Sequence, residues 1–515
     1  MNSRIQTIAL LLVAALLLVG VSRLQQSINH DRETLGLTRV QPLENAPPVL
    51  AFTTVALGGF RGLISNMLWA RANELQEQDK FFEMAQLADW ITKLEPHFVQ
   101  VWLFQEWNLA WNISVKFKSF SDRWNWVRRG MELLRDEGLR YNPNEVLIYR
   151  ELAWIFQDKM GAVTDDANMY YKQAWADEMA TVFGTNSAKL DELIHPVTDD
   201  QKKRAALLRE KYKMDPEFMK QVDDQYGPLE WRLPEAHAIY WAALGLDEAR
   251  RHPKKVSQKD IITLRRVIYQ SLQLAFMRGR MEPNPIENDF ELGPNLDIVS
   301  TVNKAYEDQM EAEPQYREHI QTGHRNFLAS AIFFLYVNNR QAEAAKWWKY
   351  LSEQYPNKVL LDDGNSFPRN LTLDQFAVGR VQQEVNDTSP TRIKSIVEGL
   401  LRNSYVNLIL DRDDRAQGFL LLAKKVYDTY QASVVKSRES AMSLGSFSEI
   451  ERQVLLQMLD PQRGLVPEAR ALLRTKKGLP AETADNPLLL PAPVAAGTNA
   501  PAGTNAPAGK AEGKM

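Results

Sequence analysis

Apolar residues recur every three or four positions along most of the chain, from Phe60 to about residue 475. This spacing places them on one face of an α-helix, whereas the alternation of apolar and polar residues that is typical of β-strands is scarce. The stretch 326–357 shows the unit clearly: two apolar segments are separated by Asn338-Asn339, and the second is ended by Pro356. The pattern therefore predicts an all-α fold built from short helices joined by tight turns.

Two segments share the same arrangement of large and small apolar positions. Counted back from Pro356, the inner positions of the two helices are Leu328, Ala331, Leu335, Ala344, Trp348 and Leu351. Counted back from Pro96, with a turn at Asp79-Lys80, they are Leu68, Ala72, Leu75, Met84, Ala88 and Ile91. A small residue at such a position, like Ala344 or Ala72, lets the two helices of a hairpin approach closely.

Both segments resemble the tetratricopeptide repeat (TPR), a helix–turn–helix of 34 residues with a closing proline. Each departs from the repeat once, since Ile332 and Met84 stand where a small residue is usual. Other helix pairs fit more loosely and at irregular spacing. The resemblance implies an irregular TPR-like α-solenoid of stacked antiparallel hairpins, whose groove binds a protein or peptide partner. On this interpretation the protein is a scaffold or adaptor and not an enzyme.

The two ends of the chain differ from the helical body. Residues 5–22 carry no charge and are long enough for a transmembrane helix. Arg4 before them favours a cytoplasmic N-terminus, which would leave the body extracytoplasmic, in the periplasm or on the cell surface. The alternative is a signal peptide whose cleavage would release a secreted protein. At the other end, a segment rich in Pro, Ala and Gly predicts a disordered tail.

These features divide the chain into six regions. We predict a transmembrane signal-anchor, an extended linker, a Trp-rich region of helical repeats, a loop, a second region of helical repeats and the disordered tail. Their bounds are 1–24, 25–59, 60–280, 281–296, 297–477 and 478–515.

Composition and charge narrow the chemistry. The formal net charge is −3, so there is no overall positive field to attract nucleic acid. The chain has no cysteine, which excludes disulfides, thiolate metal sites and a cysteine nucleophile. The seven histidines form no metal-binding motif, and neither a phosphate-binding loop nor a serine nucleophile elbow is present. We therefore predict neither a metal nor a cofactor.

One cluster nevertheless has candidate chemistry. Seven of the 13 tryptophans lie between residues 102 and 175. Glu106 and Glu151 lie among them, where burial could raise a carboxyl pKa enough for a general acid. The candidate groove residues are Glu106, Trp107, Trp111, Glu151 and Trp154.

This cluster supports an alternative hypothesis, a carbohydrate-active or sugar-binding protein of the cell envelope built on a helical superhelix. Packing in the core competes with it, because Trp107 and Trp111 have helical spacing and burial of an indole ring is strongly favourable. We expect packing to account for most of these rings. A third interpretation is a structural envelope protein whose tail spans a distance.

Overall fold

A computed structural model describes residues 60–184, 188–253, 256–284, 289–361, 364–383, 390–437 and 444–482, with isolated positions between 13 and 31. The described chain is mostly helical, which confirms the all-α prediction. The predicted membrane segment 5–22 lies largely outside these residues, as do the linker up to 59 and the tail beyond 482. No helix in the described ranges is both long enough and apolar enough to cross a membrane.

The chain divides into two compact units. Unit 1 comprises Met1–Pro283 and Phe290–Phe334, and unit 2 comprises Asn284–Asp289 and Leu335–Met515. The predicted loop 281–296 contains most of a two-stranded sheet, β1 (Arg280–Asn284) and β2 (Asp289–Gly293). The connection is too short for a parallel crossover, so the two strands are antiparallel.

The α-helices up to the sheet are α1 (Phe60–Glu77), α2 (Phe81–Leu94), α3 (Val99–Trp107), α4 (Phe120–Glu132), α5 (Leu139–Tyr141), α6 (Val146–Trp154), α7 (Asn168–Phe183), α8 (Leu190–Ile194), α9 (Asp199–Glu210), α10 (Pro216–Tyr226), α11 (Pro234–Arg251) and α12 (Gln258–Arg278). Three π-helices directly continue α3, α4 and α6, and they are π1 (Asn108–Ile113), π2 (Leu133–Gly138) and π3 (Ile155–Gly161). After the sheet come α13 (Val299–Ala312), α14 (Arg317–Val337), α15 (Gln341–Gln354), α16 (Leu373–Gln383), α17 (Pro390–Ile409), α18 (Asp413–Ser437), α19 (Phe447–Met458) and α20 (Pro467–Lys476).

Three helix–helix turns, α1–α2, α14–α15 and α17–α18, have the same backbone conformation. Each has three linker residues, and the middle residue has a positive φ: 57° at Asp79, 61° at Asn339 and 56° at Asp411. Asp and Asn adopt this left-handed conformation more readily than other residues with a side chain. The N–H of the third linker residue donates to a carbonyl five residues earlier, Lys80 to Leu75, Arg340 to Leu335 and Arg412 to Asn407, at 2.8–2.9 Å. This is the Schellman bond, so one capping geometry recurs at three places.

The predicted inner positions are largely buried. Ten of the twelve are in the core, and the other two, Leu68 and Trp348, are half-buried. Close packing in unit 2 also depends on Gly418 of α18, where a Cβ atom would overlap the carbonyl oxygen of Val337. The periodicity therefore identified the buried faces of these helices correctly.

Candidate functional site

The candidate acids and tryptophans lie where two α-helices change into π-helices. Glu106 and Trp107 end α3, and Trp111 follows in π1. Glu151 and Trp154 lie in the last turn of α6, and π3 begins at the next residue. A π-helix inserts an extra residue into the turn, which redirects the side chains that follow, and such segments are frequent at functional sites.

Glu106 is a buried acid with an incomplete set of hydrogen bonds. Only 1% of the residue is exposed, and its Oε1 atom has no hydrogen-bond partner among the described residues. Burial and the nearby Glu151 carboxylate raise the pKa of Glu106 well above its ordinary value, while Lys159 opposes the rise. Glu106 therefore keeps its proton to a higher pH than an exposed glutamate does.

Glu151 has a different environment. Its side chain is 13% exposed and forms an ion pair with Arg150. The structure thus combines a carboxyl group that favours its neutral form with a second carboxyl group that has a cationic partner. Two neighbouring carboxyl groups whose environments differ in this way can act as an acid and as a base or nucleophile.

Lys159 links the acids to a second ion-pair network. Its Nζ atom lies 2.6 Å from Asp165 Oδ2 and 5.7 Å from the centroid of the Trp111 ring. Asp165 also accepts a hydrogen bond from Arg123 at 3.1 Å. Burial alone would raise the pKa of Asp165, but the hydrogen bonds from Lys159 and the Ala167 N–H hold it below its ordinary value. The cluster therefore contains fixed charges of both signs.

Two of the candidate tryptophans expose aromatic surface. The rings of Trp107 and Trp111 stack in parallel, 4.6 Å apart with an interplanar angle of 5°. Trp107 is 45% exposed and Trp154 is 37% exposed, whereas Trp102, Trp124 and Trp175 are buried. Trp154 follows Glu151 by three residues, so the two are neighbours on the helix surface. The exposed ring of Trp107, stacked on the half-buried Trp111 and next in sequence to Glu106, is the kind of surface on which a sugar ring can stack.

A buried polar cluster in the same unit had no sequence motif to reveal it. Lys172 is fully buried and donates to Asn168 Oδ1 at 2.9 Å, and burial lowers its pKa to about 8. Glu235 is also buried and accepts from Arg278 at 3.2 Å. His237 is fully buried as well. Its Nε2 atom lies 2.8 Å from the Trp231 carbonyl oxygen, and burial lowers its pKa to about 4. The only available signal was the presence of charged residues on otherwise apolar helical faces.

Unit 1 also contains a groove that sequence analysis did not identify. Two adjoining cavities of about 600 and about 480 Å³ share Gln225, Tyr226, Leu246 and Arg265, and they lie between α10, α11, α12 and α13. We call this the α10–α13 groove. Its apolar lining includes Phe218, Val222, Ala243, Leu246, Ala249 and Ile261. An amphipathic sequence pattern does not distinguish such residues from core residues, because both lie on the apolar face of a helix.

The polar side chains of the groove are unevenly paired. Burial raises the pKa of Tyr226 to about 12 with help from the neighbouring Tyr269, and Arg265 opposes the rise at both phenols. Arg265 is half-buried and makes no hydrogen bond or ion pair within the described part of the chain. Arg250 at the rim pairs with Asp247 at 3.1 Å, and Lys304 pairs with Asp308 at 2.9 Å. Among the described residues that line the groove, Arg265 is therefore a cation without an ion pair, and it lies beside the apolar side chains of the first cavity.

Comparison of this chain with protein-family models, curated proteins and solved structures gives no match. Among the described side chains, no group of three or more His, Asp or Glu residues comes together in a way that could hold a metal ion.

Proposed function

We propose that the protein is a membrane-anchored, extracytoplasmic scaffold that binds a protein or peptide partner through TPR-like helical hairpins. The repeated capping geometry of the three turns supports the relation to a repeat fold. The uncharged segment 5–22 supports the anchor, and Arg4 supports the orientation of the chain.

The observation that carries the proposal is the α10–α13 groove with Arg265 at its centre. Its size and apolar walls suit a short helix or an extended peptide. A half-buried arginine without an anionic partner is a costly feature that a carboxylate on the ligand would relieve. The partner therefore presents an acidic side chain flanked by apolar residues.

Site-specific crosslinking tests this proposal in intact membranes. A photoreactive residue in place of Gln221, which lines the groove, should capture one partner protein in the full-length chain. The same residue in place of Lys202, which is exposed on α9 and lines neither cavity, is the matched control. Arg265→Glu should abolish the crosslink from position 221. Equal products from both positions, or a crosslink that survives Arg265→Glu, would contradict the proposal.

A second candidate function is the binding or cleavage of an envelope carbohydrate. It is favoured by the Glu106–Glu151 pair beside the stacked rings of Trp107 and Trp111. The test compares the full-length protein with Glu106→Gln and Glu151→Gln, using envelope polysaccharides and an assay for new reducing ends. If the wild type generates new reducing ends and each substitution abolishes them, the result would favour a carbohydrate-cleaving enzyme. Identical results from all three proteins would eliminate the catalytic form of this hypothesis.

A further inference from the structure

A third surface of unit 1 is unusually aromatic. The segment 115–120, VKFKSF, connects π1 to α4 and places Phe117 between two other rings. The ring centroid of Phe117 lies 6.1 Å from that of Phe82 and 6.0 Å from that of Trp126. The centroids of Phe82 and Trp126 are 5.5 Å apart. On the other side of this segment, Phe120 lies 6.4 Å from Tyr170. We call Phe82, Val115, Phe117, Phe120, Trp126 and Tyr170 the aromatic patch.

Much of the aromatic patch is open to solvent. Phe82 is 51% exposed, Val115 47% and Phe120 41%. Each exposed apolar side chain forgoes the stabilisation that burial would provide, and a contiguous group of them marks a surface that contacts something else. None of the residues of the patch belongs to the two sites described above.

The charges around the patch point to the kind of partner. Lys116 and Lys118 alternate with the apolar side chains, and Arg129 lies 5.8 Å from the Trp126 ring centroid. Two of the nearby acids are already engaged, because Asp79 lies 3.6 Å from Lys116 Nζ and Asp166 pairs with Arg123. Asp122 and Glu83 are also close in sequence to the patch, and both are exposed. Lys118 has no ionic partner among the described residues, so the cations that remain for an outside partner are Lys118 and Arg129.

Aromatic rings interleaved with long cationic side chains suit the interfacial region of a lipid bilayer. There the rings lie at the level of the headgroups, while lysine and arginine extend their charged ends to phosphate. A protein partner would satisfy the rings equally well, but it gives no reason for the alternation of lysine with phenylalanine and valine. The patch therefore has a chemical character that matches lipid.

The chain length is compatible with this contact. The predicted linker 25–59 separates the predicted anchor from α1, and these 35 residues can extend no further than about 125 Å. An anchored chain would thus keep unit 1 within this distance of the bilayer, which raises the effective concentration of lipid at the patch above that for a free protein.

We propose that the aromatic patch of unit 1 is a second membrane contact, in which the segment 115–120 inserts its side chains into the lipid headgroup region. This inference rests on the membrane anchor in the proposed function and is independent of the peptide groove. It assigns unit 1 a preferred orientation on the bilayer, with Phe82 and Phe120 facing lipid.

The absence of cysteine makes a depth measurement straightforward. The full-length chain is reconstituted into phosphatidylcholine vesicles with and without phosphatidylglycerol, with a spin label at Ser121→Cys next to Phe120. The matched control is a label at Val197→Cys, an 80% exposed position in the same unit. We expect the ratio of oxygen to nickel-complex collision rates to rise severalfold at 121 on reconstitution and to stay constant at 197.

A double variant and the flotation of the chain separate the alternatives. Phe82→Asp with Phe120→Asp should remove the rise at 121 while the chain still floats with the vesicles, which would separate the patch from the anchor. If the collision-rate ratio does not rise at 121 in a chain that floats with the vesicles, the patch does not contact lipid, whereas the membrane anchor is still supported. A chain that does not float would overturn both. Spin–spin broadening at 121 without oxygen access would identify a second copy of this chain as the occupant and overturn the lipid contact.

Discussion

The two units of the molecule are both helical, yet they bury different kinds of side chain. The core of unit 1 contains Glu106, Lys159, Lys172, Glu235 and His237. In the described part of unit 2, the buried charged residues are Arg470 and Arg474, both on α20. Burying an ionisable group costs several kcal/mol unless it is paired or neutral, so stability alone does not explain the difference.

The backbone of unit 1 is also less regular than that of unit 2. All three π-helices of the described chain lie in unit 1, whereas the recurring hairpin turn occurs once in unit 1 and twice in unit 2. Regular packing in unit 2 follows from small residues at helix crossings, as at Gly418. Unit 1 thus accommodates buried polar groups at the expense of helical regularity.

The largest expected effect comes from removing a buried charge in unit 1. Lys159→Met leaves Asp165 with Arg123 alone and Glu106 without its nearby cation, which should lower the free energy of unfolding by about 3–5 kcal/mol. The matched change in unit 2 is Lys425→Met, which removes a solvent-accessible partner of Asp374 and should cost less than about 1 kcal/mol. Hydrogen exchange resolved by unit measures both. Equal costs would refute the contrast between the two cores.

Acidification should weaken the parts of unit 1 that bury His237 and His324. Burial lowers the pKa of His237 and of His324 to about 4, below the ordinary value of 6.5. Between these values the unfolded chain binds more protons than the folded one, so stability falls as pH falls from 6.5 towards 4. The loss is at most about 1.4 kcal/mol per pH unit for each histidine.

Unit 2 provides the internal control for this prediction, because the sequence contains no histidine after His324. Hydrogen exchange at pH 7 and pH 5, corrected for the intrinsic exchange rates, should show protection lost first in α11 and α14. Simultaneous loss in α17 and α18 would show that the two histidines do not control acid sensitivity.

Substitution of a closely packed glycine should have a smaller effect on stability. Here the larger loss is expected in unit 2 and the smaller loss in unit 1. Gly418→Ala in α18 places a methyl group against the backbone carbonyl of Val337, and we expect a cost of about 1–3 kcal/mol. A Cβ atom added at Gly245 of α11 would lie 2.9 Å from the Cβ atom of Tyr149 and 3.2 Å from the methyl groups of Leu264. Gly245→Ala should therefore cost less, because part of this contact can adjust. Denaturant unfolding of the two variants measures the difference.

The smallest effect concerns Glu106. Because its pKa is raised above 4.5, the wild type should lose stability relative to Glu106→Gln as pH rises above 4.5, and the two should converge at lower pH. Glu343→Gln on α15 is the control, since Glu343 is exposed and its change should stay within about 0.5 kcal/mol. A pH dependence that is the same in Glu106→Gln and in the wild type would show that Glu106 ionises normally.

Part of the candidate site could be predicted because its signals are local. Glu106, Trp107 and Trp111 lie within one helical segment, and Glu151 and Trp154 within another, so aromatic and acidic residues in series were visible in the chain. The pairing of the segments was not visible. The interactions of Glu106 with Glu151 and with Lys159 depend on how α3 packs against α6 and π3.

The groove could not be predicted for a related reason. Tyr226, Leu246 and Arg265 lie on three different helices, and each has the spacing of an ordinary amphipathic face. Whether such a face is covered or left open depends on the neighbouring helices and not on the local pattern. The same applies to Trp107, whose helical spacing suited the core although the ring is 45% exposed.

By itself, the sequence determined the helical class, the buried faces of the hairpins and the turns at Asp79, Asn339 and Asp411. These features follow from a period of 3.6 residues and from the few residue types that adopt a positive φ, both of which act over a few neighbouring positions. Only the tertiary structure decided which charges meet in unit 1, where the helices become π-helical and which apolar faces stay open. Those outcomes depend on contacts between residues far apart in the chain, and residue spacing carries no information about them.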